Sequence, residues 1–451
     1  MLIKQLPHRT PGHCARNAGT IRNLLTVALA AVDILFPVAA SAQQAAPDLE
    51  LLAGLSADFD RLAPQTVRPA EGYLRYPYLT PAGFYPQMWD WDGYFIGAHW
   101  ANQNESDAKY LRDWVLSFAS SADQEGYVAG CITSIGPRPL FGKFAMKPFL
   151  AQGAVLAAEQ LHDYEWIRPV WPAMQRVLGY RKETQFDENW GLWFWDNAMQ
   201  SGADNSVSLS NDPADRSAIL AVDASAWAMR EYEAMARIGE KLGDPELASL
   251  YRSNAQTTRQ AILKHLWAKR DAVFLNRRRK DGAWVRSISW SNFLPLAFGL
   301  LPEKEGQRMI RKHLLNLNEM RGEYGFRSLA KNDPAYNNDA IIDPYANWRG
   351  PIWINANYLH WVALRRYGFA AEARWLAEIL ARNIRRDIKQ WGSMHANFSA
   401  DTGEGLTPTP AQSPGGKFAG FVGWNLLIED MLQCEVTTKH CMMLEIPAGN
   451  E

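Results

Sequence analysis

Asp223–Leu242, DASAWAMREYEAMARIGEKL, runs through Gly243-Asp244-Pro245 straight into Glu246–Leu266, ELASLYRSNAQTTRQAILKHL. In the first stretch Ala224, Trp227, Ala228, Met235, Ile238 and Leu242 recur with a helical period. In the second, Leu247, Leu250, Tyr251, Ala255, Ile262 and Leu266 share one face. Asp244 followed by Pro245 is an N-cap with a first-turn proline, so the second helix starts there. A turn this short makes the two helices antiparallel neighbours. Working outward, the same spacing predicts helices over Gly306–Leu315, Trp353–Tyr367 and Phe369–Asp387. From Gln43 to about Ala70 a short amphipathic stretch precedes a proline-bearing connection. Ala272–Asn276 and Ala283–Ser287 flank Asp281-Gly282 and predict a small hairpin. No fixed period of roughly 20–50 residues appears, which speaks against a superhelical repeat array. The expected fold class is all-α: a ring of paired antiparallel helices, with short hairpins and functional loops on one rim.

Composition narrows the chemistry. With 47 basic and 48 acidic residues the net charge is -1, which favours neither nucleic acid nor an anionic membrane and suits a small neutral ligand. Hydrophobic residues make up 47% of the 451, enough for one large core, and 19 are Trp. Several of those Trp sit beside Asp, Asn, Gly and Pro, as the flat apolar faces of a sugar site do. At the N-terminus Arg16 and Arg22 precede the apolar Leu24–Val32, and Ala40-Ser41-Ala42 offers a small-residue cleavage site. Residues 1–42 therefore read as a signal peptide, residues 43–451 as a single catalytic domain, and the protein as exported, to a periplasm, with no membrane contact after cleavage. Cys434 and Cys441 are close enough in sequence to pair. No Cys/His cluster suggests a metal, and no cofactor motif appears.

Four loop segments look chemical. In Trp89-Asp90-Trp91-Asp92-Gly93-Tyr94-Phe95 two indoles alternate with two carboxylates, which suits stacking on a sugar ring and accepting its hydroxyl protons. Helix-capping Asp beside packed Trp is the plainer alternative. In Trp193–Asn197 and Ser201-Gly202-Ala203-Asp204-Asn205-Ser206, a carboxyl among aromatics loses hydration and can stay protonated as a general acid. Asp in such company more often shapes a turn. In Trp348-Arg349-Gly350-Pro351-Ile352-Trp353, Trp348 and Arg349 can face a ligand, or Arg349 can brace the loop. Met394–Gly405 reads as a polar surface turn.

Taken in order, these segments resemble the clan of inverting glycosidases that includes glycoside hydrolase family 63 and the trehalases, above all its short bacterial members that cleave mannosylglycerate and glucosylglycerate. The matching motifs are Trp89-x-Trp91-Asp92, Gly202-x-Asp204-Asn205-Ser206, Tyr324–Leu329, Asp333–Tyr336, Trp348-Arg349-Gly350-Pro351-x-Trp353 and Thr402-Gly403-Glu404-Gly405, between about residues 70 and 432. The resemblance implies an (α/α)6 toroid and hydrolysis of an α-linked glucoside or mannoside with inversion. It implies Asp204 as general acid, Asp92 holding the sugar with Trp89 and Trp91 alongside, and a substrate-binding wall from Asn205, Trp348, Arg349, Gly350 and Trp353.

One departure matters most. In the family a glutamate general base precedes the Thr-Gly-Glu-Gly turn, in a pattern like Glu-Asn-Tyr-x-Pro-x-Thr-Gly-Glu-Gly. Here that glutamate falls on Ala396, while Asn397 and Phe398 keep the register. Inverting hydrolysis needs a second carboxylate roughly 6.5–9.5 Å from the acid, with a water between, and a methyl group cannot take a proton. Asn347 and Ala203 are smaller departures. The chain is thus a base knockout, a divergent enzyme using Asp401, Glu404 or His395, or a non-catalytic sugar-binding protein. The sequence is silent on the aglycone and on the oligomeric state.

Overall fold

The computed structural model describes residues 36–83, 85–139, 143–209, 219–341 and 346–437. The chain divides into two compact units, Met1–Ala46 and Pro47–Glu451. The second holds the helical architecture apart from the start of its first helix. Most of the expected signal peptide, and Cys441, lie outside the described residues. Among the described residues the α-helices are α1 (Phe36–Leu62), α2 (Asp90–Gln103), α3 (Ala108–Ser120), α4 (Leu150–Gln160), α5 (Trp171–Gln185), α6 (Ala198–Ser201), α7 (Val222–Leu242), α8 (Pro245–His265), α9 (Leu294–Ala297), α10 (Glu303–Met309), α11 (Ile354–Arg366), α12 (Ala370–Trp391) and α13 (Leu427–Val436). None is long and apolar enough to cross a membrane.

The decisive pair forms as its sequence dictates. Gly243 ends α7 in the left-handed conformation with φ 80°, where glycine carries no Cβ penalty. The Asp244 carboxylate then accepts the Leu247 N–H at 3.2 Å and opens α8. A second level of order lies in who packs on whom. α2 packs on α4, α4 on α7, α7 on α9, α9 on α11, α11 on α13, and α13 returns to α2. These helices are buried nearly all round: in α11 every residue from Ile354 to Leu364 is inside. α3, α8 and α12 lie against them and bury a single stripe each, the pattern of an outer helix.

Three expectations need correcting. Trp89–Phe95 is not a loop: Asp90 is the first residue of α2. A helix buried on all sides shows no amphipathic period, so its start was hidden. The Asp281-Gly282 hairpin forms but is shorter than expected, with Val285 N–H on the Asn276 carbonyl and Arg277 bridged to Trp284. Val273–Phe274 pairs instead with Trp267–Ala268. Gly306–Leu315 is split between α10 and a π-turn at Ile310–Leu314. Small antiparallel sheets tie the helix ends together. Two of them lead into α2 and α11: Met88–Trp89 with Cys131–Thr133 and Gly136–Pro137, and Ile352–Trp353 with Asn397–Phe398 and Gly405–Thr407.

Candidate active site

A cavity of about 420 Å³ opens where these two sheets and the start of α2 meet. Its first wall is built by Asp90. That carboxylate accepts the Trp91 N–H at 2.6 Å, the Lys147 N–H at 2.7 Å and Lys147 Nζ at 3.2 Å. Asp90 thus ties the first turn of α2 to Lys147; it follows the cap position, Trp89, and is not itself the cap. Gly93 leaves room for Trp114, whose Nε1 would be 2.3 Å from a Cβ there. The Trp114 indole N–H reaches the Trp89 carbonyl at 3.1 Å and fixes the strand end. Two residues beyond Asp90, Asp92 lines the cavity.

Asp204 enters through a different device. Asn197 caps the single turn α6 by accepting the Gln200 N–H at 3.2 Å. Gly202 follows with φ 86°, and a Cβ there would lie 1.9 Å from the Trp91 ring. Only glycine fits, and it lets the Asp204 loop lie against that indole. Asn205 Oδ1 accepts the Trp348 N–H at 2.7 Å, and Arg349 Nε donates to the Asn205 carbonyl at 2.9 Å. The Ala346 N–H donates to Asp204 Oδ2 at 3.3 Å. Burial pushes Asp204 up to about 7, against the lowering effect of the Ala346 N–H and of Lys147. Burial likewise pushes Asp92 up to about 7, opposed by Lys147 and reinforced by Asp90 and Asp204.

Of the residues picked out in the sequence, Trp89, Trp91, Asp92, Asp204, Trp348, Trp353 and Ala396 all line the cavity. Asn205, Arg349 and Gly350 are placed behind the wall instead. The polar atoms of Asn205 and Arg349 join the two loops, and Gly350 is there because a Cβ would strike the Asn337 carbonyl oxygen at 1.9 Å. The indoles form a continuous array. Trp91 stacks on Trp348 at 5.6 Å and 16°, and Trp348 on Trp353 at 4.2 Å and 2°. Trp424 closes on Trp91 and Trp353 at 5.8 and 5.9 Å. Several of the Trp faces are thus spent on one another, and the array is core and cavity wall at once.

Ala396 sits at the end of the second sheet, its N–H on the Thr407 carbonyl at 2.6 Å. The three substitutes read from sequence are elsewhere. Buried His395 binds Asp387 through Nδ1 at 2.9 Å. Asp401 takes Asn338 Nδ2 at 2.9 Å and faces Arg327 at 3.6 Å. Glu404 is exposed. None of the three lines the cavity, whose carboxylates among the described residues are Asp90, Asp92 and Asp204. Sequence reasoning missed Tyr85, Lys147, Phe421 and Trp424, all lining residues. Only Trp424 and Phe421 gave a signal, an aromatic pair flanking glycines; Lys147 in Met146-Lys147-Pro148 gave none. Among the described residues no group of His, Cys, Asp and Glu could hold a metal ion.

Residues 85–418 match the family model described as a mannosylglycerate hydrolase MGH1-like glycoside hydrolase domain. A mannosylglycerate hydrolase of Rubrobacter radiotolerans is 26% identical over 38% of this chain and 36% of that protein. A mannosyl-oligosaccharide glucosidase of Saccharomyces cerevisiae is 26% identical over 47% of this chain. The chain spans about a third or less of the length of these curated relatives, 36% and 26%. In fold, it is similar to the family 63 mannosylglycerate hydrolase of Thermus thermophilus solved with glucose, at TM-score 0.62 and 17% identity over 85% of this chain and 99% of that one. The neutral trehalase of Saccharomyces cerevisiae gives TM-score 0.62 at 14% identity, over 81% and 74% of the two chains.

Proposed function

The chain belongs to the mannosylglycerate hydrolase-like glycoside hydrolases of family 63, and from that premise we propose that its cavity binds the terminal sugar of an α-linked glucoside or mannoside, with Asp204 as the general acid of an inverting site. The helix neighbours that close on themselves support reading the fold as an (α/α)6 toroid. The observation that carries the proposal is Asp204 itself: a carboxyl lining an aromatic cavity, pushed up to about 7 by burial. At neutral pH such a group still holds the proton a leaving oxygen needs. Asp92, beside Trp89 and Trp91, accepts sugar hydroxyls. Asn205 and Arg349 serve by holding Trp348 and the acid's loop together, and Gly350 by its bond to Ser328.

Ala396 occupies the place of the base. With a methyl group there, no carboxylate activates the water, and loss of a general base typically costs on the order of 10²–10⁴ in rate. Turnover by the chain as it stands is therefore slow. The same residue favours a second reading, a sugar-binding protein on a glycosidase fold. Ala396→Glu, assayed on a panel of α-glucosides and α-mannosides with the product anomer followed by NMR, separates them. The first reading expects a gain of about 10²–10⁴ with inversion. No hydrolysis of any member after that change, with binding intact, leaves the second. The leader-like N-terminus places the protein outside the cytoplasm in this reading. A mature N-terminus at Gln43 by mass spectrometry of the secreted chain is the expected result.

A further inference from the structure

Three carboxylates line the cavity among the described residues, and a single ammonium lines it with them. Lys147 supplies it. Its backbone N–H and its Nζ are held by the two oxygens of Asp90, at 2.7 and 3.2 Å, so one carboxylate grips the lysine at both ends. Its Nζ lies 5.5 Å from the centre of the Trp91 ring. Its Cε lies 3.0 Å from where Gly202 would carry a Cβ. The side chain therefore threads between the residue before Asp92 and the residue two before Asp204. Buried Arg181 holds the Met146 carbonyl just upstream, so the lysine backbone is fixed as well. A lysine usually extends its charge into water. This side chain is 13% exposed, and a neutral sugar would give its charge nothing to neutralise.

We propose that Lys147, anchored on Asp90, is a positioning residue that sets how many protons Asp92 and Asp204 hold, and so the pH range in which the cavity accepts a ligand. The inference rests on reading the cavity as a sugar site. Lys147 lowers the proton affinity of both carboxyls, while Asp90 raises that of Asp92. The other titratable groups nearby are neutral near pH 7: the Tyr85 hydroxyl is raised by burial, and the Cys131 thiol is pushed up to about 12. Arg138 is exposed at the rim. The two members of the Lys147–Asp90 pair therefore act in opposite directions. Loss of the cation pushes protons onto Asp92 and Asp204, and loss of the anion pulls them off Asp92.

A quaternary iminosugar, whose positive charge does not titrate, is the probe. Its affinity for the intact protein, followed by calorimetry from pH 5 to 9, rises as the two carboxyls ionise. Lys147→Met moves that midpoint up by about one unit or more. Asp90→Asn moves it down, and Lys147→Arg restores it. A role in packing alone would leave the midpoint in place or shift both variants the same way, and either result overturns the inference. If Lys147→Met fails to fold, Lys147→Gln keeps a donor for Asp90 and makes the same prediction. Should the unmodified protein bind no probe at any pH, the sugar-site reading falls instead.

Discussion

The Asp204 side of the cavity and the Ala396 side are bonded equally well, and only the first presents a carboxylate. Around Asp204, a left-handed glycine pressed on Trp91, an Asn205–Trp348 bond and the Ala346 N–H hold a carboxyl whose proton affinity burial has raised. Around Ala396, the sheet pairing of Asn397–Phe398 with Ile352–Trp353 and Gly405–Thr407 is complete, and His395 is fixed to Asp387. The backbone that would present a base is intact, and the side chain ends at a methyl. The strand register is carried by residues beside position 396, so in the proposed reading a carboxylate there is lost without disturbing the wall.

The sharpest way to break this comparison is to restore one side and remove the other. In an Ala396→Glu background, Asp204→Asn should erase the recovered hydrolysis, a fall of about 10²–10⁴ in kcat/KM on an unactivated glycoside. Substrates with a good leaving group should lose far less, since they need no proton. A double variant that retains full activity on the unactivated glycoside would move the acid elsewhere.

Next in size is the loop that delivers the acid. Gly202→Ala must force a Cβ into the Trp91 ring from a backbone conformation that alanine disfavours. A loss of about 2–4 kcal/mol in urea unfolding is expected. The equivalent test on the other side is gentle, because Ala396→Glu adds its bulk toward the cavity and should leave stability within about 1 kcal/mol. Equal losses would show that the Ala396 wall had collapsed into the missing side chain's space.

The pH response is smaller. Asp204 acts in its protonated form, so activity restored by Ala396→Glu should fall about tenfold per pH unit once the pH exceeds about 7. Stability moves in the same direction. Asp92 and Asp204 keep protons that the unfolded chain releases near its ordinary value of 3.8, so the stability they contribute in acid is lost as the pH climbs towards about 7. An alkaline limb near pH 4 to 5 would mean that Asp204 is hydrated and poorly suited to the acid's role.

How far the sequence could be read follows the same division. Of the helical pair at Asp223–Leu266, α8 was plain because one face meets solvent and its period survives; α7 is buried on nearly every side, and it was legible because Glu233, Arg237, Glu240 and Lys241 fall on the one strip that is not. The start of α2 was invisible because both faces are buried and glycines interrupt it. Asp90 and Asp92 both line the cavity, and composition alone could not tell that Asp90 is bound to the helix start and to Lys147, 57 positions away. The resemblance put Arg349 and Asn205 among the ligand contacts; in the fold the Arg349 Nε–H donates to the Asn205 carbonyl across the wall. The Ala396 gap was legible because its neighbours held the register.

The smallest expected effect bears most directly on whether another residue has taken the base's place. Asp401 and Glu404 stand a few positions from Ala396, and either could be imagined to reach the water. In the fold Asp401 is engaged by Asn338 and Arg327 at the surface, and Glu404 is exposed. Neither lines the cavity. Asp401→Asn and Glu404→Gln should therefore leave any residual hydrolysis by the unmodified chain, and iminosugar affinity, unchanged within about twofold, as surface changes usually do. His395→Asn is less clean, because it breaks the Asp387 contact and should lower stability. A tenfold loss of residual turnover in either carboxylate variant, with unfolding unaltered, would mean that the turn swings inward during catalysis and that the Ala396 side is rebuilt rather than emptied.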